Sequence, residues 1–199
     1  PLVRLKQPSE LTGCNIYGKA EYFNPGESVK DRAALFIVKD ALDKKLISRG
    51  GTIVEGTAGN TGIGLAIVCK EYDLKLKIVI PKTQSIEKKQ TLKRLGAELI
   101  EVDAVPYSNP KNYIKQSKQI AEDLNKTNIN GVYWANQFDN IVNTEAHIQT
   151  TAEEIWSQTA GKVDGFTCAV GTGGTLSGVS IGLKNKNKNI KIALSDPMG

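Results

Sequence analysis

Three stretches of this 199-residue chain combine residue types that could do chemistry. The first is Asn24-Pro25-Gly26-Glu27-Ser28-Val29-Lys30-Asp31-Arg32. Asn-Pro-Gly enforces a turn. Ser28 followed three residues later by Asp31 is a capping-box pattern ahead of an apolar run. Lys30 then falls in the first helical turn, where the positive end of the macrodipole disfavours a cation by about 0.3–1 kcal/mol at an exposed site. The same field favours the neutral amine, which is the nucleophilic form. On this segment alone, a solvated lysine that tolerates its position fits equally well.

The second stretch is Gly171-Thr172-Gly173-Gly174-Thr175, after an apolar run ending at Val170 and ahead of a helix-prone segment. Glycines admit close backbone approach, and the free amides of a helix start attract anions. A dinucleotide fingerprint needs glycine at 176, which is Leu176, and a P-loop lysine is also absent. A single phosphate fits better, beside the plainer reading of a tight turn. The third stretch, Gly56-Thr57-Ala58-Gly59-Asn60-Thr61-Gly62, adds an amide and two hydroxyls at a helix start. It suits a carboxylate or a phenolic oxygen as well as a phosphate.

The elements that must position these loops follow from periodicity. Apolar residues at helical spacing predict helices over residues 29–46, 63–72, 85–95, 110–124, 141–159 and 176–183. Short β-prone runs predict strands over 16–22, 52–55, 76–80, 98–102, 131–135, 163–170 and 190–194. Alternation of strands and helices predicts an α/β fold, mainly parallel sheets with flanking helices.

Composition narrows the classes. Hydrophobic residues at 40% and charged residues at 24% describe a folded globular chain. No apolar run is long enough to span a bilayer. The net charge of +5 raises nucleic acid as a partner, but the lysines are dispersed and no aromatics interleave with the densest cluster, Lys184 to Lys191. Neither nucleic acid nor membrane is expected as a partner. Cys14, Cys69 and Cys168 are odd in number and far apart, which excludes a disulfide framework and an evident zinc site, and points to a reducing compartment. No metal is expected. His147, the single histidine, reads as a surface or satisfied core residue, Trp134 and Trp156 as packing residues, Asp31 as a cap, and Arg32 equally as a structural ion-pair partner or a ligand contact.

Taken together and in order, the three motifs resemble the cysteine synthase (O-acetylserine sulfhydrylase) and cystathionine β-synthase group of fold-type II enzymes dependent on pyridoxal 5′-phosphate (PLP), the tryptophan synthase β-like fold. The resemblance covers nearly the whole chain. It implies that Lys30 forms the Schiff base with PLP, that Gly171, Thr172, Gly173, Gly174 and Thr175 hold its phosphate, and that Asn60 bonds the ring oxygen. Thr57, Ala58, Gly59 and Thr61 fall in the substrate carboxylate loop, and Gln137 matches a substrate-side glutamine. The implied reaction is β-replacement of O-acetylserine by sulfide through an aminoacrylate, giving cysteine and acetate. Val29 and Thr61 stand where serine and threonine dehydratases carry phenylalanine and histidine, which favours the sulfhydrylase side.

The resemblance also implies a cytoplasmic homodimer with serine acetyltransferase as a partner. It implies an N-terminal PLP-binding domain over residues 1–138, with a smaller mobile subdomain at about 47–135, and the first part of a larger C-terminal domain over 139–199. Family members continue beyond that point, so the chain reads as truncated at both ends and its C-terminal domain as incomplete. An inactive fragment or pseudoenzyme acting as a binding module, and a cystathionine β-synthase-like or dehydratase activity, stand as alternatives. The family's usual serine is replaced by Ala58, and Glu27 occupies a place often held by a small residue.

Overall fold

Short β-prone runs with apolar centres build parallel strands in this chain. In the computed structural model, which describes residues 1–196, β3 (Thr52–Gly56), β4 (Lys75–Pro81), β5 (Glu98–Val102) and β6 (Val132–Trp134) form one parallel sheet in the order β5-β4-β3-β6. β3 is buried along its whole length, as a parallel strand covered on both faces must be. Its side chains alternate between two cores. Ile53 packs with α2 (Lys30–Asp43) and α3 (Asn60–Glu71), while Val54 packs with α5 (Tyr113–Asn125) on the opposite face. α4 (Ile86–Arg94) adds Leu92 to the first core.

A second, smaller parallel pair joins β7 (Gly165–Cys168) to β8 (Lys191–Leu194). α7 (Glu153–Gln158) and α8 (Gly174–Lys186) cover it through Ile155, Val179 and Leu183. At the N-terminus β1 (Leu2–Arg4) pairs antiparallel with β2 (Tyr17–Lys19) around α1 (Lys6–Thr12), and a 3-10 turn (Glu21–Phe23) leads on. Neither β1 nor α1 is apparent in the periodicity. β1 has three residues, and α1 has seven with no side-chain N-cap, so neither leaves a full period to detect.

The long helix expected over 141–159 is helical but not uniform. α6 (Val142–Ala146) widens into a π-helical segment (His147–Ala152) before α7. α8 lies close against this run because Gly178 and Gly182 face it. A Cβ at 178 would overlap the Thr144 carbonyl and the His147 side chain, and one at 182 would overlap Ala152. Two helices start earlier than their apolar periodicity suggests, α3 at Asn60 and α8 at Gly174. Polar and glycine residues of the loops are thus drawn into first helical turns. The strand expected over 163–170 is confined to β7, which leaves 169–173 as a connecting loop. Residues 197–199, the end of the segment assigned to the C-terminal domain, lie outside the described residues.

Candidate functional site

Lys30 is the first residue of α2. The capping box expected around it does not close in that form. Val29 takes the N-cap position without a side-chain cap, and Ser28 Oγ accepts from the Lys30 amide at 3.2 Å. Asp31 instead reaches back to the Gly26 amide at 2.5 Å, so the carboxylate closes the Asn-Pro-Gly turn. Asp31 Oδ1 is buried without a hydrogen-bond partner, and a Cβ at Gly26 or Gly64 would press on it. The turn is therefore packed tightly onto α3. Glu27 adopts φ 59, a left-handed conformation that disfavours a side chain by roughly 1–2 kcal/mol. Glycine there, one of the residues the resemblance expects, would relieve that strain.

Arg32 resolves as structural. It bonds Glu21 at 2.7 Å and Glu154 at 2.6 Å, and Lys19 joins Glu154 at 2.5 Å. The hydrogen bond from Arg32 brings the Glu154 carboxyl down to about 2. This cluster ties β2, the 3-10 turn and α2 to α7, directly behind Lys30. The Lys30 amine itself is half-buried, and its Nζ has no hydrogen bond or ion pair among the described residues. Burial lowers its pKa, opposed only by the Cys168 thiol. Its charge is felt both by Cys168, at the end of β7, and by His147. Lys30 and the approach to the 171–175 loop therefore share one neighbourhood.

That loop is open on its inner side. A Cβ at Gly171 or Gly173 would meet nothing within 4 Å, and Gly173 has φ 88, which glycine adopts without cost. Neighbours hold the loop from behind. Thr172 Oγ1 accepts from Asn143 Nδ2 at 2.9 Å, and Thr175 Oγ1 lies 3.2 Å from His147 Nε2. The other ring nitrogen of His147 is 2.8 Å from Thr151 Oγ1. Burial first, then the charges of Lys30 and Arg32, push the His147 pKa down to about 4. A neutral ring has one donor and one acceptor, so one threonine hydroxyl donates to it and the other accepts. His147 is a satisfied core residue, and it is also the support of Thr175.

The 56–62 loop differs. Thr57 is buried and its Oγ1 accepts from the Gly59 amide at 3.2 Å. Thr61 and Gln137, 76 residues apart, are joined by a 2.5 Å hydrogen bond from Thr61 Oγ1 to Gln137 Oε1, with both side chains buried. Ala58 and Gly59 are partly exposed, and Asn60 is exposed with no side-chain hydrogen bond among the described residues. Of the residues singled out in sequence, the structure thus joins Thr61 to Gln137 directly and leaves Asn60 free-standing at the loop's rim.

The two loops are connected through Asn143 and Gln137, whose side chain holds Thr61. Asn143 Nδ2 donates to the Gln137 carbonyl at 2.9 Å and to Thr172 Oγ1 at 2.9 Å. Asn143 escapes sequence reasoning because it lies in an ordinary helical run with no motif around it. The closest hint is Gly174, where a Cβ would overlap the Asn143 side chain.

An open glycine loop at a helix start, carrying threonine hydroxyls, provides the donors a phosphate needs. A half-buried lysine free of ion pairs provides an amine that can react with an aldehyde. The residues present therefore fit PLP. Among the described residues no cluster of His, Cys, Asp or Glu could hold a metal ion, and no helix is long and apolar enough to cross a membrane.

Comparison with known proteins agrees with this geometry. The profile of the family described as "Pyridoxal-phosphate dependent enzyme" matches residues 1–199. Cysteine synthase 1 of Neurospora crassa is 56% identical across 100% of this chain, which spans 52% of that protein. Among solved structures, an O-ureido-L-serine synthase superposes with a TM-score of 0.88 at 37% identity, over 99% of this chain and 60% of that one. A hydrogen sulfide-producing enzyme from Fusobacterium nucleatum gives a TM-score of 0.84 at 40% identity, over 99% and 62% respectively. The chain spans about half the length of the curated relatives it matches.

Proposed function

The chain belongs to the pyridoxal-phosphate-dependent enzyme family, with the fold-type II architecture, and from that premise we propose that the protein is a cysteine synthase. The reaction breaks the Cβ–O bond of O-acetylserine, releases acetate and forms a Cβ–S bond to sulfide, with no net redox change. The observation that carries this reading is the 56% identity to a cysteine synthase across every residue of the chain. The half-buried Lys30 amine and the open 171–175 loop support it.

PLP, when bound, supplies an electron sink that makes loss of the Cα proton accessible. The protein's own contributions are positional and acid–base. Lys30 anchors the cofactor covalently through its amine. With its amine free, Lys30 would take the Cα proton, a role suited to a lysine whose pKa burial has lowered. Gly171, Thr172, Gly173, Gly174 and Thr175 bind the phosphate, with Thr172 and Thr175 oriented by Asn143 and His147. Asn60 serves the ring oxygen. Thr57, Gly59, Thr61 and Gln137 hold the substrate carboxylate, and Ala58 offers only its main chain. A homodimer, serine acetyltransferase as a partner and a cytoplasmic location belong to the same proposal and are supported by the family resemblance. So does the division into residues 1–138, with 47–135 mobile, and 139–199.

The test uses the full-length protein loaded with PLP. Borohydride should attach the cofactor to the peptide containing Lys30, and Lys30→Ala should abolish that attachment and lower cysteine formation by a factor of about 10² or more. Retention of reducible PLP at another lysine, or turnover unchanged in Lys30→Ala, sinks the assignment.

A further inference from the structure

Glu55 lies on β3 immediately before the 56–62 loop, and nothing in the chemistry above uses it. It is 1% exposed, on a strand flanked by β4 and β6. No cation faces it among the described residues. Its polar neighbours are the main-chain amides of Asn136 and Gln137 and the side-chain amide of Gln137, while Oε2 has no partner. Asn136 has φ 48, and such a left-handed turn lets two successive amides converge on one carboxyl. Burial outweighs these donors and raises the carboxyl to about 8.

Gln137 is consequently held at both ends. Its Oε1 accepts from Thr61 Oγ1 at 2.5 Å, so its Nε2 is the group available to the Glu55 carboxyl. Thr61 and Gln137 are two of the side chains assigned to the amino-acid carboxylate. We propose that Glu55 is a positioning residue for the amino-acid substrate: from beneath the 56–62 loop, its carboxyl orients the Gln137 amide and through it Thr61. This inference rests on the cysteine synthase reading.

Ionisation of Glu55 places a charge close to the substrate's own carboxylate, in a site where screening is weak. Substrate affinity therefore falls as pH rises through the Glu55 pKa. The titratable group facing Glu55 is the Tyr113 phenol on α5, itself raised above the ordinary phenol range by burial and then by Glu55. The segment after β6 and α3 present Asn136, Gln137 and Thr61, none of which titrates in this range.

The experiment uses the full-length, PLP-loaded protein. It measures KM and kcat for O-acetylserine from about pH 6 to about pH 9, and the Kd of L-alanine, which has no β leaving group, by absorbance titration. Glu55→Gln keeps a carbonyl acceptor and cannot ionise. It should match wild type within about twofold near pH 7 and lack the rise of about fivefold or more that wild-type KM and Kd show toward pH 9. Glu55→Leu should raise both constants about fivefold near pH 7 with little change in kcat. A folded Glu55→Leu variant with wild-type constants, or an alkaline rise retained in Glu55→Gln, overturns the proposal. Should Glu55→Leu not fold, the Glu55→Gln profile decides alone. A wild-type protein inert toward O-acetylserine counts against the cysteine synthase reading, and the L-alanine titration still tests Glu55.

Discussion

The two glycine loops look alike as sequences and differ as structures. The 171–175 loop has an open inner surface, with its threonines bonded backward to Asn143 and His147. The 56–62 loop is turned in on itself, with Thr61 bonded to Gln137 and Thr57 to the Gly59 amide. Each loop keeps one internal threonine-to-amide bond, which in the first runs from the Gly174 amide to Thr172 Oγ1 at 3.4 Å. The difference lies in the remaining hydroxyl contacts, which brace the first loop from behind and leave its glycine face open to an anion. A ligand at the second would exchange the Thr61–Gln137 bond for its own, which suits a group that arrives and leaves in every cycle. On the proposed reading, a resident phosphate and a transient substrate carboxylate are thus served by the same residue types in two states of hydrogen-bond satisfaction.

The largest break in this comparison should come from Gly174→Ala. The added Cβ overlaps the Asn143 side chain, so it displaces the residue that links Thr172 to the Gln137 segment. Overpacking of this kind costs about 1–3 kcal/mol. We expect a lower unfolding midpoint and at least about tenfold weaker PLP retention, measured by denaturation and by equilibrium dialysis. Wild-type PLP affinity in this variant would show that Asn143 does not support the loop.

Asn143→Ala should do less, because it removes the two hydrogen bonds without adding an overlap. Leaving the Gln137 carbonyl and Thr172 Oγ1 without their donor costs about 1–3 kcal/mol if water does not replace it. The informative readout is which ligand suffers. PLP affinity and the KM for O-acetylserine should both worsen, since Asn143 bonds Thr172 directly and reaches Thr61 through Gln137. An effect confined to one of them would separate the loops that the structure joins.

The contrast also marks what could be read from the chain. Lys30 and both loops were legible because each is a local pattern in which a few neighbouring residues dictate a turn and a helix start. The parallel strands were legible because burial on both faces demands apolar residues at their centres, as at Ile78, Val79 and Ile80 of Lys75–Pro81. Asn143, His147 and Glu55 were not legible in these roles. Asn143 meets Thr172 across 29 residues and His147 meets Thr175 across 28, and such pairings arise only when α8 folds back onto the 142–158 run. The expected capping box failed for a related reason, because Asp31 is held at Gly26 by packing against Gly64 on another helix.

Acid sharpens the comparison with opposite signs. His147, behind the 171–175 loop, has its pKa pushed to about 4, below its unfolded value near 6.5. Its contribution is fully present above about pH 6.5 and is lost as pH falls toward 4. Glu55, beneath the other loop, is raised to about 8 from the ordinary value of 4.5. Its contribution is fully present below about pH 4.5 and is lost as pH rises through about 8. Between these limits the two trends oppose one another. Glu55→Gln should therefore make stability fall more steeply from about pH 6.5 to about pH 5, and His147→Asn should reverse the slope. Urea midpoints at both pH values check this, and parallel slopes in the two variants would rule the assignment out.

The smallest expected effect is at Ala58, where the family resemblance places serine. The residue is partly exposed at the rim of the 56–62 loop, beside the Gly59 amide that bonds Thr57. A hydroxyl there adds one donor for the substrate carboxylate, and a neutral hydrogen bond contributes about 0.5–1.5 kcal/mol. Ala58→Ser should therefore lower the KM for O-acetylserine by about twofold to tenfold and leave kcat unchanged, because a carboxylate contact acts equally on ground and transition states. It should leave PLP affinity at the 171–175 loop untouched. A change in PLP affinity without a change in KM would mean that residue 58 faces the cofactor with Asn60 and not the substrate carboxylate, and the distinction between the two loops would fail at that position.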